Sequence, residues 1–141
     1  MTADQLERDV LSAFSSVPKP SQAALVSHQC SECDELASDL EPFTAAAVPQ
    51  AVLAKHVWDL PLLSDEGKHY YLQSWLLQGL RDGGDAIDAV VFALDFDHRW
   101  NPLEPYTPDE WLAVDRWLAK IAPGADGLAD EIERVRGKIP K

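Results

Sequence analysis

Two cysteines and a histidine lie within six residues of one another, and their side chains are of the types that bind zinc. They form the run His28-x-Cys30-x-x-Cys33. Two thiolates at this spacing can reach one Zn²⁺ at about 2.3 Å, and a nearby imidazole nitrogen can be a third ligand. The sequence therefore predicts a zinc site formed by His28, Cys30 and Cys33. A second Cys-x-x-Cys is absent, so the fourth ligand must come from elsewhere, with candidates at Asp34, His56, Asp59, His69 and His98.

The same cysteines have two other interpretations. As a redox pair, Cys30 would lie at the N-terminus of a helix, where the helix dipole favours a thiolate. The strand–helix alternation of a thioredoxin-like fold is missing from the sequence, which weighs against this interpretation. As plain structure, both cysteines would be small buried apolar side chains and His28 a surface residue. The sequence leaves the three alternatives open.

No other residues form a recognisable catalytic motif. The sequence has no Gly-x-Ser-x-Gly, no phosphate-binding glycine loop and no His-Glu-x-x-His. The best cluster for a hard metal ion is Asp95-Phe96-Asp97-His98, which lacks the glycine and the bidentate glutamate of a calcium loop. We therefore expect a protein that is not an enzyme.

The elements that carry these residues read as helices interrupted by prolines. Capping boxes begin helices at Thr2 and at Thr107-Pro108, and Ser64 caps the longest apolar stripe. Further helices are expected after Ser31, Pro49, Asp85 and Leu128. The one that Pro49 opens is expected to run through Val52 and Leu53 and to extend to Val57 and Trp58. The pattern predicts an all-α single compact domain, residues 1–141, of about six or seven short helices. The Ser64 helix is expected to be central, Trp75 and Trp117 buried, and residues 136–141 a frayed tail.

Charge is the strongest compositional feature of the chain. Twenty-four acidic residues against twelve Lys and Arg give a net charge of −12. Binding to nucleic acids or to anionic membranes is disfavoured, because both need basic residues. The acidity favours a protein partner with a basic surface, since attraction at long range speeds association. Acidity that serves solubility alone is the alternative.

The acidic residues concentrate between residues 82 and 115. This stretch has nine acidic residues and one arginine, a net charge of −8, and it contains Trp100, Tyr106 and Trp111. Acidic residues interleaved with aromatic ones are typical of protein-binding surfaces, so we expect these rings to be partly exposed. The predicted partner-binding residues are Asp95, Asp97, Trp100, Glu104 and Asp109. Charge reversal at Asp95 and Asp97 is expected mainly to slow association. The alternative is that the rings are core and the acidic residues are caps and solvated turns.

Cellular location is predicted from the absence of targeting features. No window of about 18 apolar residues is free of charges, so no membrane span is expected. Asp4, Glu7 and Asp9 lie where a signal peptide needs basic and then apolar residues. The sequence therefore predicts a cytoplasmic protein.

Three pieces of sequence together resemble a family of small uncharacterised bacterial proteins, a domain of unknown function. They are His-x-Cys-x-Glu-Cys-Asp-Glu-Leu from His28, Trp58-x-x-Pro-Leu-Leu-Ser, and Tyr-Tyr-Leu from Tyr70. An opening Ala-Phe-x-x-Val-Pro from Ala13 is similar too, and the resemblance spans roughly residues 5–95. The chain departs from the family at Ser64-Asp-Glu-Gly-Lys, where members have a more apolar helix entry. The resemblance implies that the cysteine run is a family feature, and it implies no reaction.

Small size, acidity, and helices with aromatic residues near acidic ones lead to one hypothesis. The protein is expected to be an immunity protein that neutralises a toxin by occluding it. The alternatives are a small zinc-stabilised structural or regulatory domain, and an acidic inhibitor that mimics nucleic acid. An enzyme that uses the cysteine run for redox or metal chemistry is a third class.

Overall fold

A computed structural model describes residues 1–27, 29–96 and 106–140 of the protein. The longest helix of this described part lies at the centre of the fold. Ser64 caps this helix by accepting a hydrogen bond from the backbone N–H of Gly67 at 3.0 Å. The helix ends at Gly83, whose φ of +64° is a backbone conformation that glycine adopts without strain. Its residues 70–77 are all buried, which confirms the prediction of a central Ser64 helix.

The described residues form seven α-helices and no β-strand, which confirms the all-α class. The helices are α1 (Ala3–Phe14), α2 (Ser31–Leu40), α3 (Gln50–Lys55), α4 (Asp65–Asp82), α5 (Asp85–Phe96), α6 (Pro108–Ile121) and α7 (Ala129–Lys138). Short 3₁₀ segments lie at Gln22–Ala24, Ala45–Ala47, Val57–Leu62, Ala122–Gly124 and Asp126–Leu128. None of the helices in this described part combines the length and apolar character that crossing a bilayer requires.

The other helices are arranged around α4. Helix α1 packs against α4 and α6, while α5 packs against α4, α7 and the 3₁₀ segment Val57–Leu62. Trp75 and Trp117 are both buried, as predicted. Each indole N–H donates to a backbone carbonyl of another element: Trp75 to Val57 at 2.9 Å and Trp117 to Leu76 at 2.8 Å. These two hydrogen bonds therefore fix the positions of the Val57–Leu62 segment and of α6 relative to α4.

The C-terminal residues are more ordered than the sequence indicated. Helix α7 continues to Lys138, and Ile139 is buried against the core. The guanidinium of Arg136 donates to Asp115 on α6 at 2.8 Å. The frayed tail expected from residue 136 therefore differs from the structure, because apolar and ionic contacts hold this segment.

Candidate functional site

Cys30 and Cys33 form a disulfide at the N-terminus of α2. Cys30 is the N-cap residue, one position before the predicted start, and its sulfur accepts a hydrogen bond from the Cys33 backbone N–H at 3.0 Å. Cys30 is half-buried, whereas Cys33 has no solvent-exposed surface. The two sulfurs therefore share one helix turn but differ in access from solvent.

The predicted zinc site requires reduced cysteines, whereas the structure shows Cys30 and Cys33 oxidised to a disulfide. A zinc ligand must be a thiolate, and both sulfurs here are bonded to each other. His28 lies outside the described residues, as does His98. Within the described residues no group of three His, Cys, Asp or Glu side chains is arranged to hold a metal ion. Zinc binding by His28, Cys30 and Cys33 stays a prediction for the reduced protein.

An open groove of about 630 Å³ lies at the N-terminal part of α2. It runs between the 3₁₀ segment Gln22–Ala24 and α2, two elements that pack against each other. Its lining mixes amide, hydroxyl, carboxylate and apolar groups, from Gln22, Ala23, Val26, Ser27, Gln29, Asp34 and Ala37. Gln29 directly precedes Cys30 and Asp34 directly follows Cys33. Two lining residues thus flank the cysteine pair in sequence, one on each side of the motif.

The predicted partner-binding residues are only partly within the described chain. Asp97, Trp100 and Glu104 lie outside the described residues, while Asp95 and Asp109 lie within them. Asp109 is exposed in the first turn of α6. The side chain of Asp95 is only 3% exposed and pairs with Arg134 and Lys138 of α7. Asp95 thus joins two helices of the fold.

The aromatic residues predicted to be partly exposed in this stretch are buried where the structure describes them. Tyr106 and Trp111 pack against each other with ring centroids 4.7 Å apart. The expectation of exposure is wrong for these two rings. The capping box that starts α6 fixes the direction of the helix and turns Trp111 towards the core. The pattern that the sequence offered as the alternative, aromatic core with acidic caps, applies at this point.

Among the residues that the structure describes, the exposed aromatic ones are Trp58 and Phe92, which the sequence did not single out together. Their side chains are 52% and 36% exposed, and their rings stack 6.3 Å apart at an angle of 29°. Asp85 and Asp88 precede Phe92 on α5 by seven and four residues, which places all three on one side of the helix. We call these four residues the Trp58–Phe92 surface.

Local geometry explains why Trp58 points outward. A 3₁₀ helix has three residues per turn, so positions three apart lie on one side. Leu60 and Leu63 are fully buried, while Trp58 and Pro61 share an exposed side. A helix through Trp58 was predicted, whereas α3 ends at Lys55 and a 3₁₀ helix begins at Val57. The three-residue spacing of Val57, Leu60 and Leu63 was the signal that could have revealed it.

A buried histidine holds the segment that carries Trp58. His56 joins Asp39 of α2 through Nε2 and Asp59 through Nδ1, each at 2.8 Å. The pKa of Asp39 lies below its usual range, first because of the hydrogen bond with His56 and then because of the one with Lys55. The cluster ties α2, α3 and the Val57–Leu62 segment together. Because its members bind each other, we interpret it as a structural clamp.

Comparison of the chain with models of protein families, with curated proteins and with solved structures finds no match. The resemblance to a family of bacterial proteins stays a prediction.

Proposed function

We propose that this protein is a non-enzymatic binding protein that occludes a basic protein partner, as an immunity protein occludes a toxin. The observation that carries the proposal is the exposed, stacked pair of Trp58 and Phe92. Tryptophan is enriched among the residues that dominate binding energy at protein interfaces. A ring pair exposed on a folded surface is an anchor that a partner can desolvate.

The position of this pair is fixed before any partner binds. The backbone on either side of Trp58 is held by the Trp75 hydrogen bond to Val57 and by the contact of His56 with Asp59. The backbone of Phe92 is held because its helix, α5, packs against both α4 and α7. A rigid anchor loses little conformational entropy on binding, which favours tight association.

The charge around the pair selects the class of partner. Asp85 is exposed and Asp88 is half-buried, and neither is paired with a Lys or Arg of the described residues. The whole chain carries −12. Two unneutralised carboxylates beside an aromatic anchor favour a partner with a basic surface around an apolar pocket.

The test uses the product of the gene directly upstream, which is the toxin if the protein is an immunity protein. Cells that express this upstream product are expected to stop growing, and co-expression of the present protein is expected to restore their growth. We also expect Trp58→Ala to weaken binding by at least about thirtyfold, which corresponds to about 2 kcal/mol at an interface hot spot. Binding is measured by surface plasmon resonance with the purified proteins.

The matched control is Leu112→Ala, which removes another exposed apolar side chain from α6. It should leave binding unchanged. Equal binding by the Trp58→Ala variant and the native protein would remove this surface from the interface. Inhibition that survives Trp58→Ala but fails on loss of carboxylates would favour the alternative, an acidic mimic of nucleic acid.

Association is expected to slow as salt is raised, because screening shortens the Debye length to about 8 Å at physiological ionic strength. Substituting lysine for both Asp85 and Asp88 should lower the association rate by about tenfold at low salt and change dissociation little. Stopped-flow tryptophan fluorescence measures both rates.

The control for this charge reversal is the Asp4→Lys variant, at an exposed position of α1. Helix α1 packs against α4 and α6, whereas the Trp58–Phe92 surface belongs to α5 and the Val57–Leu62 segment. Association that is independent of salt would show that the acidity serves solubility alone.

A further inference from the structure

We propose that the Cys30–Cys33 disulfide is a thiol–disulfide exchange site, whose substrate is the dithiol of a polypeptide that lies in the neighbouring groove. The proposal is independent of the Trp58–Phe92 surface. It rests on where the pair lies in α2, on the unequal access to its two sulfurs, and on a groove lined by the residues directly before and after the pair.

The bridge joins no two elements of the fold. Cys30 is the N-cap of α2 and Cys33 is its third residue, so both already belong to one hydrogen-bonded turn. Disulfides stabilise mainly by closing long loops in the unfolded chain, and the contribution falls as the loop shortens. A bridge across three residues at a helix start is therefore poorly suited to hold the fold together. Breaking it leaves α2 its cap and its apolar face.

Access to the sulfurs is unequal in the way that exchange requires. Cys33 is completely buried, whereas Cys30 is half-buried and lies at the helix end. An incoming thiolate can therefore approach Cys30 and is excluded from Cys33. This assigns Cys30 as the sulfur that is attacked and Cys33 as the sulfur that leaves.

The exchange proceeds in two balanced steps. A substrate thiolate attacks Cys30 Sγ, forming a mixed disulfide, and the Cys30–Cys33 bond breaks with its electron pair on Cys33. The second substrate thiolate then attacks the substrate sulfur of the mixed disulfide, and Cys30 leaves with the electron pair. The substrate dithiol is oxidised to a disulfide, the pair is reduced, and the two substrate protons pass to the cysteines.

The N-terminus of α2 assists Cys30 as the leaving group in the second step of the exchange. The backbone N–H of Cys33 points at the Cys30 sulfur at 3.0 Å, and the helix dipole places positive potential there. Glu32 and Asp34 in the first turn act in the opposite direction. Because both side chains are exposed to water, screening weakens their effect relative to the direct hydrogen bond.

The groove supplies a place for the substrate chain. Gln22, Ser27 and Gln29 offer amide and hydroxyl groups that can pair with a peptide backbone, and Val26 and Ala37 offer apolar surface. At about 630 Å³ the groove has room for several residues. This composition fits an extended polypeptide segment better than a small thiol.

The first test traps the exchange intermediate with glutathione disulfide as the probe. Reduced Cys33→Ser should form a mixed disulfide with glutathione at Cys30 at least about tenfold faster than Cys30→Ser forms one at Cys33. Serine at position 30 can still cap α2. The reduced native protein should pass through the adduct to the internal disulfide. Mass spectrometry of acid-quenched samples follows each species, and circular dichroism verifies that the fold is intact in both oxidation states.

The second test examines the groove with two reductants. The Ala23→Trp substitution places a large ring in the groove at an exposed position. It should slow reduction of the disulfide by a synthetic peptide with two cysteines about fivefold or more, and leave reduction by dithiothreitol unchanged. Equal effects on both reductants, or no effect on either, would overturn the polypeptide as substrate.

Three other results would overturn the exchange site itself. They are equal rates for the two serine variants, a pair that dithiothreitol reduces only when the protein unfolds, and loss of the helical fold on reduction. Reduced protein that retains one zinc ion and resists glutathione disulfide would also contradict exchange. That result would support the metal site of His28, Cys30 and Cys33 in its place.

Discussion

Replacing Trp117 with alanine is expected to lower the free energy of unfolding by about 3–5 kcal/mol. Trp117 has no exposed surface, and its indole N–H donates to the Leu76 carbonyl of α4. Its ring approaches α4 at Gly79 so closely that a Cβ there would lie 2.8 Å from Cζ2. The truncation would leave a large cavity between α4 and α6 that neighbouring side chains cannot fill. Urea denaturation followed by circular dichroism measures the loss.

Leu112→Ala on the same helix is the matched control for this substitution. Leu112 is 45% exposed, so its truncation should change the free energy of unfolding by no more than about 0.5 kcal/mol. Similar losses for the two variants would show that α6 does not dock on α4 through Trp117. Since typical domains are stable by about 5–15 kcal/mol, the Trp117 variant is expected to be folded but strongly destabilised.

The burial of Trp117 was predictable because the signals that place it are local. Thr107, Pro108 and Glu110 specify where α6 begins, and the capping box is present in the structure. Once the start is fixed, the 3.6-residue period puts Trp117 on the same side as Val114 and Ile121. Ser64 and the central helix that follows it were predictable for the same reason.

The position of Trp58 was not predictable in this way, because tertiary contacts decide the local conformation. Between Val57 and Leu62 the chain adopts a 3₁₀ helix with Pro61 inside it. The hydrogen bond from Trp75 and the clamp at His56 hold that conformation, and they come from α4 and from Asp39 on α2. An α-helical period applied to these residues places Trp58 on the buried side. For that reason the Trp58–Phe92 surface was not predicted from the sequence.

The acidic stretch shows a second limit of sequence reasoning. A charge count along the chain treats neighbours in sequence as neighbours in space, whereas ion pairs are formed between distant positions. Asp95 meets Arg134, and Asp115 meets Arg136, across helix interfaces. Part of the net charge of −8 between residues 82 and 115 is therefore compensated by α7. Asp85 and Asp88 of α5 have no Lys or Arg partner among the residues that the structure describes, so their charge would act on a partner.

Replacing Asp95 with asparagine is expected to lower the free energy of unfolding at neutral pH by about 2 kcal/mol. The carboxylate is 3% exposed and accepts two hydrogen bonds from the Arg134 guanidinium, at 3.1 Å and 2.9 Å. Asparagine keeps the shape but loses the charge that Arg134 and Lys138 oppose. The structure thus adds an expected effect on stability at Asp95 to the sequence-based expectation that charge reversal at Asp95 and Asp97 would mainly slow association with a partner.

The dependence on pH distinguishes a lost ion pair from lost packing. The hydrogen bond from Arg134 holds the pKa of Asp95 below its usual range. A carboxyl group with a lowered pKa in the folded state stabilises the protein above its unfolded pKa of about 3.9, and this contribution is lost as the pH falls through the folded value. The gap in stability between the native protein and Asp95→Asn should therefore be full at pH 7 and shrink below about pH 4.

The control is Asp109→Asn, which makes the same substitution at an exposed acidic residue of α6. It should change the free energy of unfolding by no more than about 0.5 kcal/mol at any pH. Chemical denaturation at pH 7 and at pH 3 measures both variants. A gap for Asp95→Asn that is equal at the two pH values would mean that packing, and not the ion pair with Arg134, holds α5 against α7. No loss at pH 7 would mean that the ion pair contributes nothing to the interface.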